Sequence, residues 1–193
     1  MTHGGLPSPD FNEPRARRAR VIRTLSARSF LEVTEEEVDR ANRYDRPLSV
    51  LIGQFEGVKR IRRAEGSMVA EEVVATAVER IHHGLRSMDR IGRLGVGEFS
   101  VLLPETRLGN AEMAAMRLRD SFSADPVETR GGPRPIFLNI GIGTLNPRLR
   151  NAKSFLMLAY SQLRLARRVG GGEISTVPPE LVRVSVARNS SIH

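Results

Sequence analysis

The residues best suited to chemistry in this 193-residue chain lie close together in one stretch. Arg86-Ser87-Met88-Asp89 sets a guanidinium and a carboxylate three positions apart, shortly before Gly95-Val96-Gly97-Glu98-Phe99. A guanidinium is a rigid fork of N–H donors that can hold an anionic group in bidentate fashion, while a carboxylate accepts hydrogen bonds from N–H groups. Other candidates are poorer. His82 and His83 are adjacent, so on a helix they point about 100° apart and do not form the i, i+4 pair that binds metal. They read as surface residues. No Ser-His-Asp set and no Gly-rich phosphate loop of known spacing is visible, and the absence of cysteine excludes disulfides and thiolate metal sites.

Positioning these residues requires a core, and a chain that is 40% apolar can build one as a single domain. Residues 1–22 are rich in Gly, Pro and Arg without apolar period and read as a disordered basic tail; residues 23–178 form the folded domain, and 179–193 a polar C-terminal tail. Phe30, Leu31, Thr34, Val38 and Ala41 recur at helical spacing, and Pro47 then opens an apolar strand, Leu48 to Ile52. A short basic segment ends at Gly66. Val69, Val73, Ala77, Ile81 and Leu85 mark a long helix ending near Arg86. Two strands, Arg90 to Leu94 and Glu98 to Leu103, are joined by Gly95, Val96 and Gly97 as a tight hairpin. Ala111, Ala115, Leu118 and Phe122 give the next helix, and Asp125 to Pro135 a loop. Leu138, Ile140 and Ile142 alternate as a strand, Phe155, Ala159, Leu163 and Ala166 form the last main helix, and Glu173 to Val177 a final strand. The order is α, β, α, α, β, β, α, β, α, β, without internal repeat.

The formal charge of +8 suits a polyanionic partner, but only Lys59 and Lys153 are lysines and the arginines are spread over every segment, as on a solvated basic surface. Arg15, Arg17, Arg18 and Arg20 cluster in the tail without interleaved aromatics to stack bases, so nucleic acid ranks last among partners. No apolar run approaches the roughly 20 residues of a membrane span, and no signal peptide is visible, so the chain is expected to be cytoplasmic.

Asp89-Arg-Ile-Gly-Arg-Leu-Gly-Val-Gly-Glu-Phe-Ser-Val-Leu-Leu-Pro-Glu-Thr106 closely resembles the signature region of GGDEF domains. Asn42 to Ser49 is similar to that family's approach to its first strand, Leu138 to Gly143 to its late strand, and Ala159 to Arg167 to a helix that usually carries an Ala-Asp and an Ala-Lys pair. The resemblance implies an α/β (α+β) fold, the adenylate-cyclase-like palm, whose central, mostly antiparallel sheet is flanked by helices. It also implies a chemistry: active members join two GTP molecules into cyclic di-GMP around Mg²⁺ or Mn²⁺.

Position by position, the resemblance places Gly97 and Gln54 where that family carries its two metal carboxylates. Gln54 offers only a neutral oxygen and Gly97 no side chain, whereas Mg²⁺ wants hard anionic oxygen. Strand alternation points Glu98 to the opposite side from its neighbours. Arg62 stands for a guanine-reading Asn, Glu71 for an Asp, Tyr160 for an Asp, and Arg167 for a phosphate-facing Lys. The chain is therefore expected to be a degenerate, catalytically inactive member, not an enzyme, with no cofactor and no metal. Arg86-x-x-Asp89 matches the family's inhibitory product-binding site, and the resemblance adds Arg117 from the next helix, with Arg119 as the neighbouring alternative. The expected function is a cytoplasmic cyclic di-GMP-binding effector that recognises the ligand through Arg86, Asp89 and Arg117 and regulates a protein partner. Ligand bound as a stacked pair would draw the chain toward a homodimer. The alternative is a structural adaptor that binds no nucleotide and heterodimerises with an active GGDEF protein.

Overall fold

The computed structural model of the chain describes residues 24–149 and 151–177. The basic tail, the polar C-terminal tail and the Arg15–Arg20 cluster lie outside the described residues. Ser26 begins the first helix, α1 (Ala27–Tyr44), because its side chain accepts the N–H of Ser29 and satisfies an otherwise unpaired first-turn donor. Asp45 ends it in the left-handed region, its N–H returning to the Ala41 carbonyl. The chain continues through β1 (Leu48–Glu56), α2 (Val58–Glu65), α3 (Ser67–His83), β2 (Arg90–Gly95), β3 (Glu98–Pro104), α4 (Leu108–Ala124), β4 (Phe137–Thr144), α5 (Ala152–Val169) and β5 (Ile174–Ser175).

These strands make one sheet in the order β2-β3-β1-β4-β5, antiparallel except for the short parallel pairing of β4 with β5. Helices cover both faces. Alternation along β1 sends Leu51 and Phe55 into a core shared with α2, α3 and α4, through Val58, Val73, Ala77, Ala115 and Leu118. It sends Val50 and Ile52 to the other face, against Phe30 and Val38 of α1 and Phe155, Ala159 and Leu163 of α5. The mixed α/β architecture and the element order agree with the sequence reading.

Several boundaries differ. β1 runs four residues beyond the apolar run, to Glu56, because Gly53 and Gln54 pair with Phe99 and Glu98 on one edge and with Ile140 and Asn139 on the other. Backbone pairing on two edges holds a strand that its polar side chains do not announce. The basic segment before Gly66 is the helix α2, with Val58 and Ile61 buried. α3 stops at His83, three residues short of Arg86, and the loop after α4 carries an isolated bridge between Val127 and Arg134. His82 is half-buried rather than at the surface: Thr24 packs over it and shares a 3.1 Å hydrogen bond with Nε2.

Close approach of α5 to β4 depends on Gly141, where a Cβ would collide with the Leu163 amide nitrogen and the Ala159 carbonyl oxygen. Both obstacles are backbone, so the helix as a whole would have to retreat. Gly141→Ala is expected to lower stability by at least the ~1–3 kcal/mol usual for overpacking, read as a shift of the urea midpoint at unchanged slope.

Candidate functional site

Beyond α3 the backbone makes a tight corner. The Gly84 N–H reaches the Ile81 carbonyl, the Asp89 N–H reaches the Arg86 carbonyl at 3.2 Å, and Asp89 Oδ2 accepts the Arg86 N–H at 2.7 Å. Asp89 thus closes the four-residue turn Arg86–Asp89 with its own side chain, a local bond available to a short carboxylate. The Arg90 guanidinium fastens the same turn from outside by donating to the carbonyls of Ser87, Met88 and Asp89.

Asp89 is only 7% exposed, and its Oδ1 is buried with no hydrogen-bond partner. Burial pushes its carboxyl above the usual carboxylate range, opposed by the Arg86 N–H and by the charges of Arg86, Arg90 and Arg117. Arg117 reaches this corner from α4 and lines, with Arg86, Asp89, Leu85 and Leu103, a notch of about 30 Å³. Both Arg86 and Arg117 are exposed and form no ion pair among the described residues. Arg119 turns away to Asp120, 2.7 Å distant. The structure therefore brings together one buried carboxylate with an unused oxygen and two uncommitted guanidiniums. The notch is too small to swallow a base, so a ligand would lie across its mouth.

The hairpin end of the sheet is built differently. Gln54 and Glu98 are register partners, so the alternation that turns Glu98 away from Phe99 also puts it on the same side as Gln54, whose Nε2 lies 3.4 Å from Glu98 Oε1. Arg167 of α5 sits 3.9 Å from the same carboxylate. Tyr160 is half-buried beside it, its phenol pushed up by burial and by the Glu98 charge. Gly97 has a φ of +74° and its carbonyl accepts the Phe55 N–H at 2.8 Å; a Cβ there would stand 3.2 Å from Val58 Cβ. An open cavity of about 530 Å³ is lined by Gln54, Glu56, Lys59, Arg60, Arg63 and Arg167. Arg62 borders the neighbouring opening with Val96, and Glu71 is held by Arg93 through two bonds of 2.6 and 2.8 Å.

A divalent metal fits this donor set poorly. Glu98 faces Arg167, Glu56 is engaged by Asn139 and the Gly171 N–H, and no group of three acidic or histidine side chains is close enough to hold an ion among the described residues. Asn139 organises this end, a role the sequence reading missed because an Asn within an alternating strand carries no special signal. Its Nδ2 donates to Glu56 at 2.9 Å, and its Oδ1 accepts the N–H groups of Gly172 and Glu173, tying β1, β4 and the turn after α5 together.

Comparison with known proteins identifies the family of the fold. Residues 24–173 match the family described as diguanylate cyclase, GGDEF domain. The chain belongs to the GGDEF family. It is 25% identical over 144 residues to the probable diguanylate cyclase DgcC of Escherichia coli K12, covering 74% of this chain and 38% of that protein. The chain thus spans little more than a third of that relative. Among solved structures it superposes on the GGDEF domain of PA1120 (YfiN or TpbB) from Pseudomonas aeruginosa with a TM-score of 0.75 at 24% identity, covering 82% of this chain and 99% of that one. The GGDEF domain of DgcB from Caulobacter crescentus, solved in complex with c-di-GMP, gives 0.74 at 14% identity, covering 79% and 91%. At these identities the structural likeness is one of fold.

One expectation requires correction. The chain was expected not to be an enzyme because Gln54 and Gly97 replace two carboxylates, but the matched family and its curated relatives are named diguanylate cyclases, which leans toward an enzyme. Substitution at two positions does not by itself decide activity against the family and the relatives that the chain matches.

Asn139 is 2% exposed and makes three hydrogen bonds, so removing it strands two backbone donors. Asn139→Ala is expected to cost about 2–4 kcal/mol, from ~1–3 kcal/mol for each buried group left unpaired and partly rescued by water. Thermal denaturation would show a Tm lowered by roughly 4–16 °C.

Proposed function

We propose that this GGDEF domain is a signalling module that binds cyclic di-GMP at the Arg86–Asp89 corner and transmits occupancy to a protein partner. The observation that carries the reading is the buried, unpartnered Oδ1 of Asp89 between two exposed, unpaired guanidiniums on separate elements. Cyclic di-GMP offers the complement: guanine N–H groups for the carboxylate, and O6, N7 or phosphate oxygens for the arginines. That DgcB was solved with c-di-GMP supports the ligand class within this family. The reading concerns this corner and does not depend on turnover at the hairpin end. Because Arg86 and Arg117 project from the surface, ligand stacked as a pair has a face left for a second protein surface, favouring a dimer.

Calorimetric titration with cyclic di-GMP tests the proposal. Arg86→Ala is expected to weaken binding by about 1.5–3 kcal/mol, roughly 10- to 150-fold, and Arg117→Ala comparably, while Arg119→Ala changes affinity little. Absence of heat and of any Tm shift with ligand up to ~100 μM would leave the nucleotide-independent adaptor as the reading, since ligand at 100 times Kd adds about 2.7 kcal/mol of stability.

Proton linkage gives a second test. The ionised carboxylate is the better acceptor, so affinity is expected to be full well above Asp89's raised pKa and to fall as pH drops through it, earlier than an ordinary carboxylate would allow. Stability runs the opposite way. A folded-state pKa above the unfolded one means that ionising Asp89 costs stability as pH rises. Titrations across pH should show this acid loss in the wild type and a flatter, weaker profile in Asp89→Asn.

A further inference from the structure

At the end of the sheet remote from Gln54 and Gly97, an open cavity of about 680 Å³ lies between the last turn of α1 and the start of α4. Its volume is in the range of small-molecule sites. Asn146 is 9% exposed within its wall; its Oδ1 accepts the Arg148 N–H at 2.9 Å, which fixes the amide's orientation, and its Nδ2 is buried with no partner. A buried donor left unmade is costly and calls for an acceptor.

The surrounding charges are of two signs. Arg107 lines the cavity, has no ion pair among the described residues, and is itself the N-cap of the 17-residue helix α4, whose first amides receive no side-chain cap. This end is positive. Opposite it, Asp45 is the C-cap of α1, where the helix dipole is negative and the Ala41 carbonyl already accepts the N–H groups of Asp45 and Arg46. Arg46 does not alter the balance, because Glu105 holds it at 2.6 Å. Pro47, Leu145 and Pro147 supply apolar wall between the two ends. Asp45, on the cavity wall, and Glu105, which holds Arg46, are the only non-glycine residues with positive φ among those described.

We propose that this cavity binds a small zwitterion, an α-amino acid. The carboxylate is received by Asn146 Nδ2 and Arg107, the ammonium by Asp45 and the C-terminal end of α1, and the side chain by the proline-lined wall. The site uses no residue of the Arg86–Asp89 corner, so its failure leaves the cyclic di-GMP reading intact.

The experiment is a thermal-shift screen of the full chain with the twenty α-amino acids at millimolar concentration, each beside its carboxylate analogue without the amine and its methyl ester. At least one amino acid is expected to raise Tm saturably, with both analogues at least tenfold weaker by calorimetry. Asn146→Asp, which sets a carboxylate against the ligand's own, and Asp45→Asn should each weaken binding tenfold or more. Arg107→Ala, on the exposed rim, gives the same reading should Asn146→Asp fail to fold. No saturable shift with any amino acid, equal binding of the amine-free carboxylates, or affinity unchanged in Arg107→Ala would each overturn the proposal.

Discussion

Eight of the nine residues of β1 are buried, and the strand is hydrogen-bonded along both edges. A strand so enclosed cannot satisfy its amides with water, so its register against β3 and β4 is fixed, and everything else is placed by that register. A slip of one residue would send Val50 and Ile52 into the core of α3 and α4 and expose Leu51 and Phe55 to α1 and α5. At one end of β1 the register sets Gln54 beside Glu98 and Asn139. At the other, Ser49 donates to the Thr106 carbonyl and meets the Thr144 hydroxyl, closing the sheet beneath the α1–α4 cavity.

The Arg86–Asp89 corner lies outside this constraint and is held by its own bonds. Asp89 spends one carboxylate oxygen closing the turn and keeps the other, while Arg90 secures the carbonyls. The corner is thus rigid without its arginine heads being committed. Because the carboxylate and the turn backbone are held in place, only the two arginine side chains would lose conformational freedom to a ligand at this corner. The arginines belong to different elements, the turn after α3 and the helix α4, so a ligand touching both bridges two parts of the domain.

Much of this was legible in the sequence. The helical spacing from Phe30 to Ala41, the alternation of Leu138, Ile140 and Ile142, and the turn at Gly95–Gly97 gave the element order, because burial writes a period into the residues that make it. The resemblance supplied Arg117, which no local spacing could have joined to Arg86. What escaped was set by tertiary contact. β1 extends through Gly53 and Gln54 on the strength of its neighbours' backbone, and Asn139 acquires its role from a turn over thirty residues later. The side on which Glu98 meets Gln54 follows from strand pairing, and the α1–α4 cavity from the meeting of two helix ends. The judgement that the chain is not an enzyme failed for a related reason, since it weighed two positions rather than the site and family around them.

The central claim is that a ligand lies across the mouth of the Asp89 notch. The most direct measurement is a backbone and arginine side-chain NMR titration with cyclic di-GMP on isotope-labelled protein. The account predicts saturable shifts concentrated on the Arg86 and Asp89 amides and the Arg86 and Arg117 guanidinium signals, with Arg167 and Gln54 unmoved. Shifts confined to Gln54, Glu98 and Arg167, or none at all, would contradict it.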